Sequence, residues 1–272
     1  MPKVSIILPS IGQPPFINAA INSVINQTFT DWELVVIIDE PFSINLEKNL
    51  FTLTEKDRRI NIIKNNEKKG FRKSLNRGLS VAKGEYIARI DDDDIWLPEK
   101  LEKQLNFLET NSDYVLVGCA TIVVDEKEKE IYRFQLPIED KDIRAIILSR
   151  NPFVHSAVMF KRKTALEIGG YNDQLEENED FDLWLRLGTK GKMHNLSEHL
   201  VKYRDPFLKP IINKIQRNRT KLFISIIKKY QHDYPGYYKA LFKSYLRFFY
   251  TYFPKPKRLE KFLYQKRQQA QW

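Results

Sequence analysis

Four segments of this chain, Val4–Leu8, Leu34–Ile38, Arg59–Ile63 and Glu85–Ile90, are rich in Val, Ile and Leu with no regular apolar–polar alternation. A strand that is apolar on both sides of its pleat must be covered on both faces. Other segments carry apolar residues at helical spacing. Phe16, Ala20, Ile21, Val24 and Ile25 follow Pro14 and Pro15, and Phe71, Leu75, Leu79 and Ala82 precede Gly84. Leu101, Leu105 and Leu108 follow Pro98 in the same register. Strands alternating with helices in this way predict an α/β fold around a mostly parallel sheet. Such sheets bind ligands at the carboxyl ends of their strands. Here those ends are Pro9-Ser10, Asp39-Glu40 and Asp91–Asp94.

Further along, Tyr114–Val124 and Ile131–Leu136 predict paired strands, Asp140–Leu148 a helix and Ala157–Phe160 a strand. Gly169-Gly170-Tyr171 reads as a turn before a helix that turns Phe181, Trp184 and Leu187 to one side. At 272 residues the chain suits one large domain with an appendage. A single cysteine, Cys119, excludes an internal disulfide and fits a reducing compartment. Val4–Leu8 is too short for a signal-peptide core, and no apolar run reaches the roughly 20 residues that span a bilayer. The expected location is the cytoplasm.

The net charge of +10 is unevenly spread. Residues 206–272 hold 16 Lys and Arg against two acids, Asp233 and Glu260, together with 16 of the 34 aromatic residues. Residues 1–205 are slightly acidic. A near-neutral body therefore carries a strongly basic, aromatic tail.

Four adjacent carboxylates, Asp91–Asp94, follow a buried strand directly. One acid there would serve the helix after Pro98, because acids favour a helix N-terminus, and Asp94 can take that part. Four together point to a hard divalent cation held by one or two carboxylates, with phosphate oxygens and water completing its shell. Glu176, Glu177, Glu179, Asp180 and Asp182 form a second acidic group. It reads either as an acid-rich first helical turn or as the source of a general base.

Five stretches in order, "VSIILPS", "AINSVINQTFTDWELVVIID", "KSLNRGLSVAKGEYIARIDDDD", "NPFVHSAVMF" and "GGYNDQLEENEDFDLWLRL", resemble the inverting, nucleotide-sugar-dependent glycosyltransferases of family 2, of the bacterial surface-polysaccharide type. The likeness covers about residues 3 to 204. It implies a GT-A fold with a nucleotide-sugar-binding half over residues 1–112, an acceptor-binding half over 113–205, and a helical extension over 206–272. By the same resemblance Pro9 and Ser10 lie beside the nucleotide, and Asp39 hydrogen-bonds the base, usually uracil. Asp91 and Asp93 match the two acids of the D-x-D motif that contact ribose and a divalent Mg²⁺ or Mn²⁺, Asp93 being the direct ligand, with Asp92 between them beside the nucleotide. Asp180 matches the catalytic base, and Glu179 is the alternative.

Some positions depart from the family pattern. Ile38-Asp39-Glu40-Pro41 keeps one of two usual acids, and Ile11-Gly12-Gln13 stands where an aromatic and an asparagine are usual. Tyr203-Arg204 is followed by Asp205-Pro206-Phe207 rather than by a histidine, so either the metal rests on fewer protein ligands or Arg204 or a tail lysine neutralises the diphosphate. His155 either approaches donor or acceptor or is structural. Trp96 either lines the sugar pocket or sits under the rim, and Arg72 and Lys73 near the start of a helix either reach phosphate or, as read here, are solvated.

In the tail, Ile211, Ile215, Leu222, Ile226 and Ile227, then Leu241, Tyr245, Phe248, Phe249 and Tyr252, recur at helical spacing among lysines. These helices either cover the catalytic domain or lie on an anionic membrane. No nucleic-acid motif accompanies the charge. The sequence thus predicts a transferase at the inner face of the cell membrane that moves a sugar, from UDP, to a glycan or lipid-linked saccharide. A noncatalytic sugar-nucleotide or glycan-binding protein is the alternative. A nucleotidyltransferase would carry a Gly-rich, basic loop where this chain has "PSIGQPPF".

Overall fold

The computed structural model describes residues 1–12, 14–42, 44–175, 177–204 and 213–252. The sequence readings that touch Gln13, Glu176, residues 205–212 and residues 253–272 lie outside the described residues. Strands β1 (Val4–Gly12), β2 (Trp32–Phe42), β3 (Ile60–Lys64) and β4 (Tyr86–Arg89) form a wholly parallel half-sheet in the order β3-β2-β1-β4. Helices α1 (Ile17–Ile25), α2 (Ile44–Lys56) and α3 (Phe71–Val81) make the crossovers. Both faces are covered, as the uninterrupted apolar runs require. Along β1, Ile6 and Leu8 enter one core cluster and Ile7 the other; along β4, Tyr86 and Ala88 oppose Ile87 in the same way.

Two residues that look unsuited to this half-sheet have local reasons to be there. Pro9 lacks an N–H, but its nitrogen faces the β4 side, and β4 pairs with β1 only as far as Ile7–Arg89. No ladder bond is lost. Gly84 sits where the chain crosses under β1. A Cβ there would lie 2.5 Å from the Ser5 nitrogen and 2.7 Å from the Val4 carbonyl carbon, and the Gly84 N–H donates to Ser5 Oγ at 2.7 Å.

The sheet continues through the second half of the chain without a break. β5 (Ile95–Trp96), α4 (Lys100–Thr110), β6 (Tyr114–Val124), β7 (Glu130–Phe134) and α5 (Asp140–Ile147) come next. A 3-10 turn at His155–Ala157 leads into β8 (Met159–Lys161), which is inserted antiparallel between β4 and β6. The predicted strand at Ala157–Phe160 is therefore shorter and shifted, because the turn takes its first residues. After α6 (Arg162–Glu167) and α7 (Glu179–Gly188), the long β9 (Lys192–Arg204) runs parallel to β6 and ends antiparallel to β5, with Ile95 opposite Lys202. The full order is β3-β2-β1-β4-β8-β6-β9-β5, with β7 beside β6.

The described part of the tail is a helical hairpin, α8 (Asn213–Lys229) and α9 (Tyr237–Tyr250). Its inner side covers α7. Phe223 stacks on Phe181 with ring centroids 4.6 Å apart, and Tyr234 donates to the Leu185 carbonyl at 2.7 Å. Among the described residues no helix is long and apolar enough to cross a membrane.

Candidate active site

The carboxyl ends of β1, β2 and β4 open on a cleft lined by Pro9, Ser10, Asp39, Phe71, Ser74, Asp91 and Asp92. Asp39 is buried at its floor. One carboxylate oxygen accepts from Asn65 Nδ2 at 3.0 Å and from the Lys69 N–H at 2.9 Å; the other accepts from the Gly70 N–H at 2.6 Å. Asp39 therefore shapes the loop that enters α3. Ser10 Oγ donates to Asp92 Oδ2 at 2.8 Å, which ties the end of β1 to the aspartate loop.

Within that loop each carboxylate has a different neighbourhood. Asp91 pairs with the guanidinium of Arg89, and its N–H donates to Ser156 Oγ at 3.0 Å. Asp92 and Asp93 are pushed up from the ordinary carboxylate range, first by burial and then by Asp91, Asp93 to about 6. Asp94 is wholly buried and raised well above the ordinary carboxylate range, by burial and by Asp91 and Asp93. Its Oδ1 accepts from the Arg204 N–H at 2.9 Å, while its Oδ2 has no hydrogen-bond partner. The expectation that Asp94 serves the helix after Pro98 is thus corrected: α4 begins at Lys100, six residues on, and Asp94 turns inward instead.

Oxygens of Asp91, Asp93 and Asp94 lie within 4.8 Å of one another. A buried carboxylate oxygen without a donor, beside two further carboxylates that repel it, is a donor set that a divalent cation fits: it satisfies the orphaned oxygen and cancels the repulsion.

The second acidic group divides by role. Asp182 is buried; it accepts from Arg186 at 2.7 Å and from Tyr230 Oη at 3.3 Å, and so fastens α7 to the end of α8. Glu177 pairs with Arg219 of α8 at 2.6 Å. Glu179 and Asp180 both feel the charge of Arg89. Asp180 Oδ2 accepts from Asn151 Nδ2 at 2.7 Å, and the Asn151 Oδ1 accepts from the Phe153 N–H at 3.1 Å, which fixes the amide's orientation. Burial raises both carboxyls, Glu179 to about 7 with Asp180 adding to it. Asp180 feels the charges of both Arg89 and Asp91, so the two acidic groups share one electrostatic field.

Arg89, which sequence reasoning passed over as part of an apolar run, stands between them. It is buried, with its guanidinium 5.3 Å from the Phe71 ring. Burial opposes its charge, but Asp91 and neighbouring acids outweigh that and hold it above its ordinary value. The signal for it was a lone basic residue inside an apolar strand, two positions before the acids. Asn151 was also missed, although it opens a stretch already singled out.

Three other residues expected at the site, Trp96, His155 and Arg204, have defined surroundings. Trp96 lies in the core, donating from Nε1 to the Ser156 carbonyl at 2.8 Å with the Lys100 ammonium 3.8 Å over its ring. It supports the rim from below. His155 is half-buried; its Nε2 lies 2.9 Å from Tyr171 Oη, and burial with Arg89 depresses its pKa well below the usual value. It offers no positive charge at neutral pH. Arg204 is spent on the protein itself. Its Nε donates to the Asp93 carbonyl at 2.7 Å, Nη1 to the carbonyls of Asp125 and Glu126 at 3.0 and 3.1 Å, and Nη2 to Glu128 at 3.1 Å, with the Phe16 ring 4.0 Å away. These contacts hold the aspartate loop against the β6–β7 turn.

Known proteins agree with this architecture. The sequence model described as Glycosyl transferase family 2 matches residues 5–169. An uncharacterized glycosyltransferase of Methanocaldococcus jannaschii is 30% identical over 80% of this chain and 76% of its own length. The amylovoran biosynthesis glycosyltransferase AmsE of Erwinia amylovora is 34% identical over 71% of each. Among solved structures, S. aureus TarS 1–349 superposes with a TM-score of 0.68 at 16% identity, covering 91% of this chain and 72% of that one. The mannosyltransferase PcManGT of Pyrobaculum calidifontis, solved with GDP-Man and Mn²⁺, gives 0.62 at 14% identity, covering all of this chain and 81% of that one. The fold is thus GT-A.

Proposed function

The chain belongs to glycosyltransferase family 2 and is a glycosyltransferase, and from that premise we propose an inverting, cation-assisted transfer from a nucleotide-diphosphate sugar to a hydroxyl group. The observation that carries the reading is the pair of acidic sets on either side of Arg89, one open to a cation and the other offering a carboxylate of raised pKa. A group that must accept a proton near neutral pH gains from such a shift. S. aureus TarS 1–349 has been solved with UDP-GlcNAc, and a UDP-sugar is the donor class we assign here.

In this reading Pro9, Ser10 and the loop set by Asp39 border the base, and Asp91 and Asp92 approach the ribose. Asp91, Asp93 and Asp94 hold Mg²⁺ or Mn²⁺, which when bound neutralises the departing diphosphate. Asn151 orients Asp180. The Asp180 carboxylate takes the proton of an acceptor hydroxyl whose oxygen attacks the anomeric carbon opposite the leaving group. One C–O bond forms as the other breaks, the anomeric configuration inverts, and no covalent enzyme intermediate is needed. The acceptor is a growing glycan or a lipid-linked saccharide, which calls for peripheral contact with an anionic membrane at its cytoplasmic face. AmsE and the O-antigen biosynthesis glycosyltransferase WbnJ of Escherichia coli, named for such polymers, support that class.

The test is UDP release from UDP-sugars in Mn²⁺ by the wild type, Asp93→Ala and Asp180→Asn. Loss of a proton acceptor lowers kcat by roughly 10²–10⁴. Asp180→Asn is expected to fall in that range while still binding donor, and Asp93→Ala to lose the Mn²⁺ requirement together with activity. Wild-type rates in both variants would sink the assignment.

A further inference from the structure

Beyond the active site, exposed large apolar side chains gather on the outer face of α9. Its inner face is buried through Ala240 and Ser244, yet Tyr238, Phe242 and Phe249 are 83, 65 and 59% exposed, and Leu246 lies exposed among them. These residues recur at helical spacing and form one aromatic stripe. Lys239, Lys243 and Arg247, exposed and spaced one turn apart, run along one margin. Along the other margin α8 sets Lys228 5.9 Å from the Tyr245 ring, Lys221 5.6 Å from Phe248 and Arg217 3.7 Å from Tyr252. The stripe lies between two rows of cations, and Asp233 is the one acid in residues 213–252.

We propose that this face of α9 is a docking surface for an anionic lipid bilayer, with Tyr238, Phe242, Leu246 and Phe249 entering the headgroup region and the two cationic rows lying over lipid phosphates. Aromatic rings suit that interface, and basic residues on either side suit a negative surface. A second copy of the chain fits poorly, since pairing two such faces would oppose cation to cation with no acid between them. The assignment deepens the membrane reading of the acceptor and rests on it only for its purpose.

Cosedimentation of the full chain with phosphatidylglycerol/phosphatidylcholine vesicles, without donor or acceptor, tests the surface separately from the chemistry. Binding is expected to need phosphatidylglycerol and to weaken with salt. Each basic residue near such a surface is worth roughly fivefold in binding, so K239Q with K243Q should weaken it about 30-fold. Phe242→Ser with Phe249→Ser should weaken it at least about tenfold. UDP release and melting temperature should stay at wild-type values in both, since neither pair touches the active site. Equal binding to pure phosphatidylcholine, or wild-type binding by both double variants, overturns the proposal. So does concentration-dependent self-association that the phenylalanine variant abolishes while vesicles bind nothing.

Discussion

Replacing Arg204 separates two accounts of one residue. By its position after Tyr203 the sequence offers it to a diphosphate; by its contacts it is a bracket that joins the aspartate loop to the β6–β7 turn. The cost of Arg204→Met follows from those contacts. The pair with Glu128 is discounted to nearly nothing, because that glutamate side chain is 42% exposed and rehydrates. Three carbonyls, of Asp93, Asp125 and Glu126, lose a charged donor, at about 1 kcal/mol each. The sum, about 3 kcal/mol, corresponds to a fall of roughly 6 °C in Tm for a domain of this size. Arg204→Lys is the discriminating partner. An ammonium is a point charge that cannot span three carbonyls, so it should recover no more than about a third of the loss. Differential scanning calorimetry of the two variants, with donor KM measured alongside, reads the result. A near-wild-type Tm in Arg204→Met with a raised donor KM that lysine restores would refute the bracket and reinstate the diphosphate contact.

Two further outcomes follow from the site and the fold. Asp93 and Glu179, near 6 and 7, are both raised above the unfolded carboxylate range, so the stability they contribute is fully present below about pH 4 and is lost as pH rises through 6 to 7. The cation-free protein should therefore lose Tm across that window and Mn²⁺ should restore it; a Tm that rises from pH 5 to 7 without cation contradicts the burial of these acids. Gly84→Ala drives a methyl into the backbone of Val4 and Ser5, which cannot move without displacing β1, and should cost about 2 kcal/mol in urea unfolding. A loss under about 0.5 kcal/mol would mean that β1 yields there.

The strands of the parallel half were readable because they are apolar on both faces, and α1 and α3 because they keep a clean period, whereas α2 was not read from the sequence; Val4, Leu34, Ile60 and Tyr86 all begin or enter strands where the pattern puts them. β9 was not readable. Its burial follows no two-residue period, because the pairing with β6 slips at Cys119, Ala120 and Thr121. β5, only two residues long, exists by virtue of a partner more than a hundred residues away. The site followed the same rule. The acidic run Asp91–Asp94 stands out in the sequence, but Asp94 was misassigned because its partner is the distant Arg204 N–H. The split of the second acidic group between Asp180, held by Asn151, and Asp182, held by Arg186 and Tyr230, likewise depends on contacts outside its own helix.

The bond from the Arg204 N–H to Asp94 bears on how the protein is made. A nascent chain that has left the ribosome only as far as α4 already carries all four aspartates, but neither the donor that settles the buried one nor the strand that pairs with β5. Vectorial synthesis thus produces the acids and Arg89 early but the donor to Asp94 only 110 residues later, so truncation anywhere before residue 204 leaves the negative loop without its closing strand.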